Sequence, residues 1–457
     1  TTKQGKPGKI KVTYDGYAGV QNPVGGYNDI LIKDPVDYAR IQIAKNPALT
    51  NYYGGDPNNP VIPDYFFPVA TSDNGTPDNA DDDFLIPANP NEASYSFPDN
   101  LIMRSNKDGT DWWDAVFDPA LITEHHFGIS GGSENATFSS SVGYLKQDGT
   151  MINTGFERLS ARLNSRVNSG KFTFGESLSV ARSETVDQQG GNQNEQNTVT
   201  QTLLMNTIVP VYDVAGNYAG GKTNGFSNGK NPVAFAKNNK HDIGTDFRVL
   251  TNIFGEYELI EGLKVRSSFS VDFRQNFQPS ANFPRYEDRE VNSSNSYQET
   301  HQTYLNWVWT NTLEYNKKFG DDHSLKLLAG QEGVKNQFKQ INGQVNDLAF
   351  IDPNVRFLNL SYSTFSSIGS QERVVALSSV FGQVDYSYKD KYLVSGVVRR
   401  DGTSEFLGDN RFGVFPAVSV GWRVSEESFM NGVSFIDDLK VRGGWGITGN
   451  QNIPVSY

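Results

Sequence analysis

The chain has 457 residues, a net charge of −12, 37% apolar residues, 12% aromatics and no cysteine. At that length it is several domains of roughly 100–200 residues each or one large barrel or solenoid, and its aromatic content excludes a solvated, disordered chain. The charge repels phosphate backbones, so no nucleic-acid partner is expected, and the absent cysteines exclude a disulfide scaffold, a Cys-ligated metal and thiol catalysis.

No run approaches the roughly 18 consecutive apolar residues of a membrane helix, which leaves membrane crossing by β-strands open. The opening Thr1-Thr2-Lys3-Gln4-Gly5-Lys6 lacks the regions of a signal peptide. From there, apolar and polar residues alternate with period two in segments at 10–19, a weaker 125–131, 136–146, 156–167, 171–182, 247–259, 262–274, 303–315, 323–334, 374–388, 391–400, 411–423 and 438–447. That predicts about 13 strands. In 156–167, Leu159, Ala161, Leu163 and Val167 alternate with Arg158, Ser160, Arg162, Asn164 and Arg166. In 262–274, Leu263, Val265, Phe269, Val271 and Phe273 alternate with Lys264, Arg266, Ser268, Ser270, Asp272 and Arg274. One face is aliphatic or aromatic and the other carries charge, a pattern that a soluble sandwich shares. Pro416 interrupts 411–423 and removes a ladder donor, so a bulge is expected there.

The connections separate the two architectures. Long ones (20–124, 183–246, 275–302, 335–373) alternate with short ones at Asn168-Ser169-Gly170, Ile260-Glu261-Gly262 and Lys389-Asp390. An antiparallel up-and-down barrel with loops at one end and turns at the other requires this parity, whereas a Greek-key sandwich does not. The predicted fold is therefore all-β, an antiparallel transmembrane β-barrel whose polar face lines a wet lumen. The lumen candidates are Arg158, Arg162, Asn164, Arg166, Lys264, Arg266, Asp272, Arg274, Arg411 and Arg423.

Motifs of chemistry are sparse. Gly216-Asn217-Tyr218-Ala219-Gly220-Gly221-Lys222-Thr223 spells a phosphate loop, but the Gly- and Asn-rich stretch Asn224 to Pro232 that follows does not start the helix such a site needs. Asp81-Asp82-Asp83, with Asp78 and Asn79, lacks the spacing of a calcium loop and reads as solvated surface. His125-His126 falls in a strand, where neighbours point to opposite faces and do not chelate one metal. With no nucleophile elbow or zinc signature, neither an enzyme nor a metal or cofactor site is expected. Aromatics of the first long loop, Tyr52, Tyr53, Tyr65, Phe66, Phe67, Trp112 and Trp113, suit either sugar or peptide stacking or the packing of a folded loop, and packing is favoured. Gln188 to Gln196 reads as a loop tip.

Several blocks carry a resemblance. Tyr14-Asp15-Gly16-Tyr17-Ala18-Gly19-Val20-Gln21-Asn22, Phe127-Gly128-Ile129-Ser130-Gly131-Gly132, Ser141-Val142-Gly143-Tyr144 and Asn231-Pro232-Val233-Ala234 resemble, in order and spacing, the SusC/RagA family of TonB-dependent outer-membrane transporters. So do Arg399-Arg400-Asp401-Gly402-Thr403-Ser404, Arg411 through Trp422 with Pro416 included, and Gly446-Ile447-Thr448-Gly449-Asn450-Gln451.

The resemblance implies that residues 1–9 are the exit from a plug domain and 10–457 the N-terminal and central part of the barrel. A barrel of this class has about 22 strands, so about 13 make an incomplete one. The implied function is TonB-dependent import of oligosaccharide or peptide nutrients across the bacterial outer membrane. The implied partners are a SusD-like lipoprotein lid, the TonB complex, outer-membrane lipid and a glycan or peptide substrate. The alternative is a structural or adhesive barrel that moves no solute.

Overall fold

The computed structural model describes residues 5–24, 31–72, 84–187, 197–222, 228–238, 240–349, 357–359, 366–432 and 435–451. The acidic run at 78–83 and the polar run at 188–196 lie outside them.

Strand β1 (Gly8–Gln21) opens the chain, and the first long connection holds helix α1 (Pro35–Lys45) with four short strands, β2 (Tyr65–Phe67), β3 (Val69–Ser72), β4 (Phe84–Pro87) and β5 (Met103–Arg104). The long strands resume with β6 (Ala120–Gly132), β7 (Ala136–Asp148), β8 (Gly155–Ser169) and β9 (Phe172–Val186). With 149–154 between β7 and β8 counted as the second connection at the end where the first lies, helices α2 (Thr198–Leu204) and α3 (Pro232–Asn238) fill the third, a long one. Then come β10 (Ile243–Ile260), β11 (Leu263–Asn282), β12 (Ser296–Phe319), β13 (His323–Asn346), β14 (Ser366–Tyr388), β15 (Tyr392–Thr403), β16 (Phe412–Arg423) and β17 (Lys440–Gly446). Apart from β2–β5, all of these form one antiparallel sheet of 13 strands in chain order, with β1 and β17 at its two edges. Every pairing joins sequence neighbours of the sheet, the arrangement that alternating turns and loops impose.

The observed strands are longer than the apolar alternation. β12 and β13 have 24 residues each, about 80 Å at ~3.3 Å per residue, against an apolar band of about 25 Å on a membrane barrel. Above Leu305, β12 carries Gln302, Thr300 and Gln298 on one face and Thr303, His301 and Glu299 on the other. With no apolar partner phase the period-two signal stops, although the ladder continues. The expected connections 275–302 and 335–373 accordingly shrink to 283–295 and 347–365.

Pro416 causes no bulge: it stays in register with Val398, and no shift interrupts that pair of strands. Its carbonyl accepts from the Ile447 N–H just past the end of β17. A residue's N–H and C=O point to the same neighbour in an antiparallel ladder. The missing donor therefore faces the strand that has already ended, and the ladder with β15 loses nothing.

At the short-turn end the turns are tight. Gly262 takes φ +80° between β10 and β11, and Lys389 and Asp390 both lie in the left-handed region between β14 and β15. At the opposite end the long connections fold together. Asp34 caps α1 by accepting from the Val36 and Asp37 N–H groups. Leu49, Tyr52, Tyr53, Phe66, Met103 and Trp112 from the first connection pack with Met205, Ile208, Val209 and Val233 from the third in one apolar core.

Candidate functional site

Strand register fixes which side chains share a face. Phe269 stands opposite Ile253 on β10 and Trp309 on β12, and Val265 opposite Tyr257 and Leu313. These apolar residues alternate with Lys264, Arg266, Ser268, Asp272 and Arg274, which occupy the other face. On β8, Arg158, Arg162, Asn164 and Arg166 likewise alternate with Leu159, Leu163 and Val167.

On the polar face most of the charges are neutralised. Arg248 grips Asp272 through two hydrogen bonds of 2.8 and 2.7 Å, and Arg274 pairs with Asp246. Lys264 and Arg266 share Glu256 at 3.4 and 3.6 Å, and the Arg266 guanidinium lies 3.8 Å from the centre of the Phe254 ring. Arg158 reaches Glu124 at 3.9 Å. Among the described residues Arg166 meets only the Asn168 amide oxygen, at 3.5 Å. Arg162 stands between Ser141 and Ser179, and Asn164 between Ser139 and Ser177. Neither Arg162 nor Arg166 has an ion pair among the described residues. Arg423 ends β16 beside Glu426 and Asp438, whereas Arg411 lies outside the strand, at the end of a 3-10 turn over Gly408–Arg411.

Sequence reasoning missed the tightest knot on this face. Arg399 bonds Glu332 and Asp401, both at 2.7 Å, and Ser379 at 2.8 Å. It also lies over the Phe381 ring at 5.3 Å. Val397 and Val398 beneath it are both apolar, so the alternation that marked Arg158 and Arg266 carries no phase here.

The apolar face ends in an aromatic row at the short-turn end. Phe319, His323, Tyr388, Tyr392 and Trp422 are successive register partners across five strands. Tyr392 Oη and Trp422 Nε1 both donate to Glu427 in the turn beyond, at 2.6 and 3.0 Å. Amphipathic rings with their polar tips tied to water-side groups mark the girdle of a membrane barrel. His125 lies on the apolar face, bonded to the Tyr14 hydroxyl at 2.7 Å, and His126 on the polar face, 2.8 Å from Glu124. The pair therefore diverges as strand geometry requires.

Of the loop aromatics, Tyr52, Tyr53, Trp112 and Trp113 are buried. Tyr52 and Tyr53 meet edge to face at 5.0 Å, Tyr52 Oη donates to the Phe66 carbonyl, and Trp112 Nε1 donates to the Asn206 carbonyl at 3.0 Å. Burial pushes both phenols far above their ordinary value, with Tyr52 adding to the effect on Tyr53. Trp113 stacks on Phe117. Tyr65 is half-buried and donates to Glu92, which also pairs with Arg104. Tyr52, Tyr53 and Trp112 thus belong to the interior of a folded loop assembly.

Thr223 of the phosphate-loop string lies outside the described residues, and within 216–222 the Gly216 and Ala219 N–H groups are taken up by the Asp213 and Val211 carbonyls. Lys222 Nζ donates to the Tyr286 carbonyl at 2.7 Å. One expectation here is corrected: the segment after it does start a helix, because Asn231 caps α3 by accepting from the Val233 and Ala234 N–H groups, with Pro232 at the first position. The cap is itself tied to the string, with the Asn231 amide donating to the Ala219 carbonyl at 2.8 Å, while Lys222 is taken up by Tyr286.

No protein-family model matches the chain. It is 30% identical over 378 residues to TonB-dependent receptor P26 of Formosa agariphila, covering 79% of this chain and 36% of that protein. It is 26% identical to TonB-dependent receptor SusC of Bacteroides thetaiotaomicron, over 97% of this chain and 46% of that one. The chain thus spans less than half the length of these curated relatives. Its fold matches the RagAB peptide importer in the closed-closed state with a TM-score of 0.73 at 19% identity, over 98% of this chain and 48% of the solved one.

Proposed function

This chain belongs to the SusC/RagA-type TonB-dependent receptors of the outer membrane, and from that premise we propose that it walls part of an importer for oligosaccharide or peptide nutrients. The family is one of transporters rather than enzymes. In this reading the apolar face meets lipid and the polar face lines a wet lumen that includes Arg158, Arg162, Asn164, Arg166, Lys264, Arg266, Asp272 and Arg274. The long-loop end lies outside the cell beneath a SusD-like lipoprotein lid, the short turns lie in the periplasm, and the TonB complex supplies force.

The observation that carries the reading is the two-faced sheet bounded by the aromatic row from Phe319 to Trp422, since apolar side chains that stay uncovered on one whole face need a solvent other than water. The test is uptake: cells deleted for the gene should lose import of a labelled oligosaccharide or oligopeptide and regain it on complementation. Unchanged uptake across both substrate classes overturns the importer and leaves a structural or adhesive barrel. Topology is tested separately. An epitope inserted after Pro57 in the first long connection should be labelled on intact cells, and one after Gly170 in the β8–β9 turn only after the outer membrane is permeabilised. Surface labelling after Gly170 removes the assignment of sides.

A further inference from the structure

Three long connections meet at a cluster of charge outside the strands. Glu287 and Asp288, in 283–295, are buried, only 7% and 2% exposed. The third connection closes over them from the other side. Gly220 packs so tightly that a Cβ there would lie 2.5 Å from the Glu287 carbonyl oxygen, and Lys222 Nζ holds the Tyr286 carbonyl. The Phe97 ring of the first connection meets Tyr286 edge to face at 5.5 Å.

The charges around this pair do not balance locally. Arg285 bonds one Asp288 oxygen at 3.0 Å, while the other, Oδ1, is buried with no hydrogen-bond partner. Glu287 has no ion pair among the described residues, although Asp288 is its neighbour in sequence. Facing the pair are Arg285 and Glu290 from the same connection, and Lys230 and Tyr218 from the third.

We propose that 283–295 and the third connection form a pH-gated clasp, closed when Glu287 carries a proton and released when it is charged. The clasp stands on the loop geometry and holds whatever the barrel carries. A neutral carboxyl fits the enclosed place beside Asp288, whereas two adjacent buried anions with one close cation repel and draw water. Burial, and after it the neighbouring Asp288 charge, push Glu287 from 4.5 up to about 7, and burial pushes Asp288 up as well. The folded value is raised, so the stabilisation is complete below about 4.5 and is lost as pH rises to about 7. If opening returns Glu287 to water, the opening equilibrium grows up to tenfold per pH unit in that window, about 300-fold in all.

The experiment is amide exchange on the full receptor in detergent micelles from pH 4.5 to 8.5, corrected for intrinsic exchange, reading peptides across 197–222 and 283–295. Their protection should fall with rising pH and level off above about 7, while β12 stays flat. Glu287→Gln should keep both segments protected at pH 8. A flat wild-type profile, or the same fall in the Gln variant, overturns the clasp. If the Gln variant is unprotected at every pH, Asp288→Asn decides. It removes the like charge and should move the step to lower pH, and a step that does not move overturns the proposal.

Discussion

In the sheet, Trp309 stands 50% exposed beside Phe269 and Leu313, while in the loop assembly Phe66 and Tyr53 are wholly enclosed, at 0%. The same residue types face outward in one region and inward in the other. In the proposed barrel the outward neighbour of the strands is lipid, so apolar side chains gain by facing away from the lumen, and the polar face keeps Arg248, Asp272, Glu256 and Arg399 with their partners. The loop assembly, which the proposed topology places in water, folds as a small soluble domain does, with its aromatics inside. In that reading one chain follows two solvents, and the boundary runs through single strands such as β12, which is two-faced below Leu305 and carries polar side chains on both faces from Thr303 to Gln298.

Truncating the same residue in the two regions tests this contrast most sharply. Phe66→Ala should cost the loop assembly about 3–5 kcal/mol, because a closed core keeps most of the cavity. Phe269→Ala should cost the barrel far less, since lipid chains fill the space. Amide exchange across 47–67 for the first variant and urea unfolding of the barrel for the second measure the two. Equal costs would mean that Phe269 is covered by protein.

Adding charge reverses the ranking within the sheet. Val265→Arg or Phe269→Arg should hinder insertion, at about 2–4 kcal/mol for a cation near the midplane of the lipid face. Ser268→Arg, one residue away on the polar face beside Asn252, should be tolerated. Folding yield into vesicles, read by heat-modifiable gel mobility, checks all three, and like responses from both faces would remove the assignment.

The strands were legible where one face met an apolar solvent and the other did not. Leu159, Ala161 and Leu163 set against Arg158, Arg162 and Asn164 gave the phase, and the alternation of long and short connections gave the order of the sheet. Legibility failed where that contrast was missing: above Leu305 on β12, at Val397-Val398 beneath Arg399, and at Arg411, whose charge beside Phe412 mimics a strand while the backbone turns. The aromatic row was missed because its members, Phe319, His323, Tyr388, Tyr392 and Trp422, flank three different turns and become neighbours only through register. Burial of Tyr52, Tyr53 and Trp112 depends on partners near Met205 and Ile208, far along the chain. No local pattern reports such a contact.

Within the loop assembly the helix caps come next. Asp34→Ala removes the acceptor for two N–H groups at the start of α1 and should cost about 1 kcal/mol. Exchange in the first turn of that helix should quicken by roughly fivefold, with β12 unchanged. A loss that spreads into the strands would show that the two regions fold as one unit.

The smallest effect is expected at an ion pair that the structure joins by two hydrogen bonds. Arg248 and Asp272 make two short bonds on the polar face, yet their side chains are still partly open, and in the proposed barrel the face they share is wet. An exposed pair gains little Coulomb energy against the ordering of its side chains, so it is worth about 0–1 kcal/mol. Arg248→Ala should therefore leave urea unfolding of the barrel nearly unchanged. A double-mutant cycle with Asp272→Ala should give a coupling in that range that fades with added salt. A coupling of several kcal/mol that survives salt would mean that water does not reach this face, and the polar side of the sheet would then be a packed interior rather than the lining of a channel.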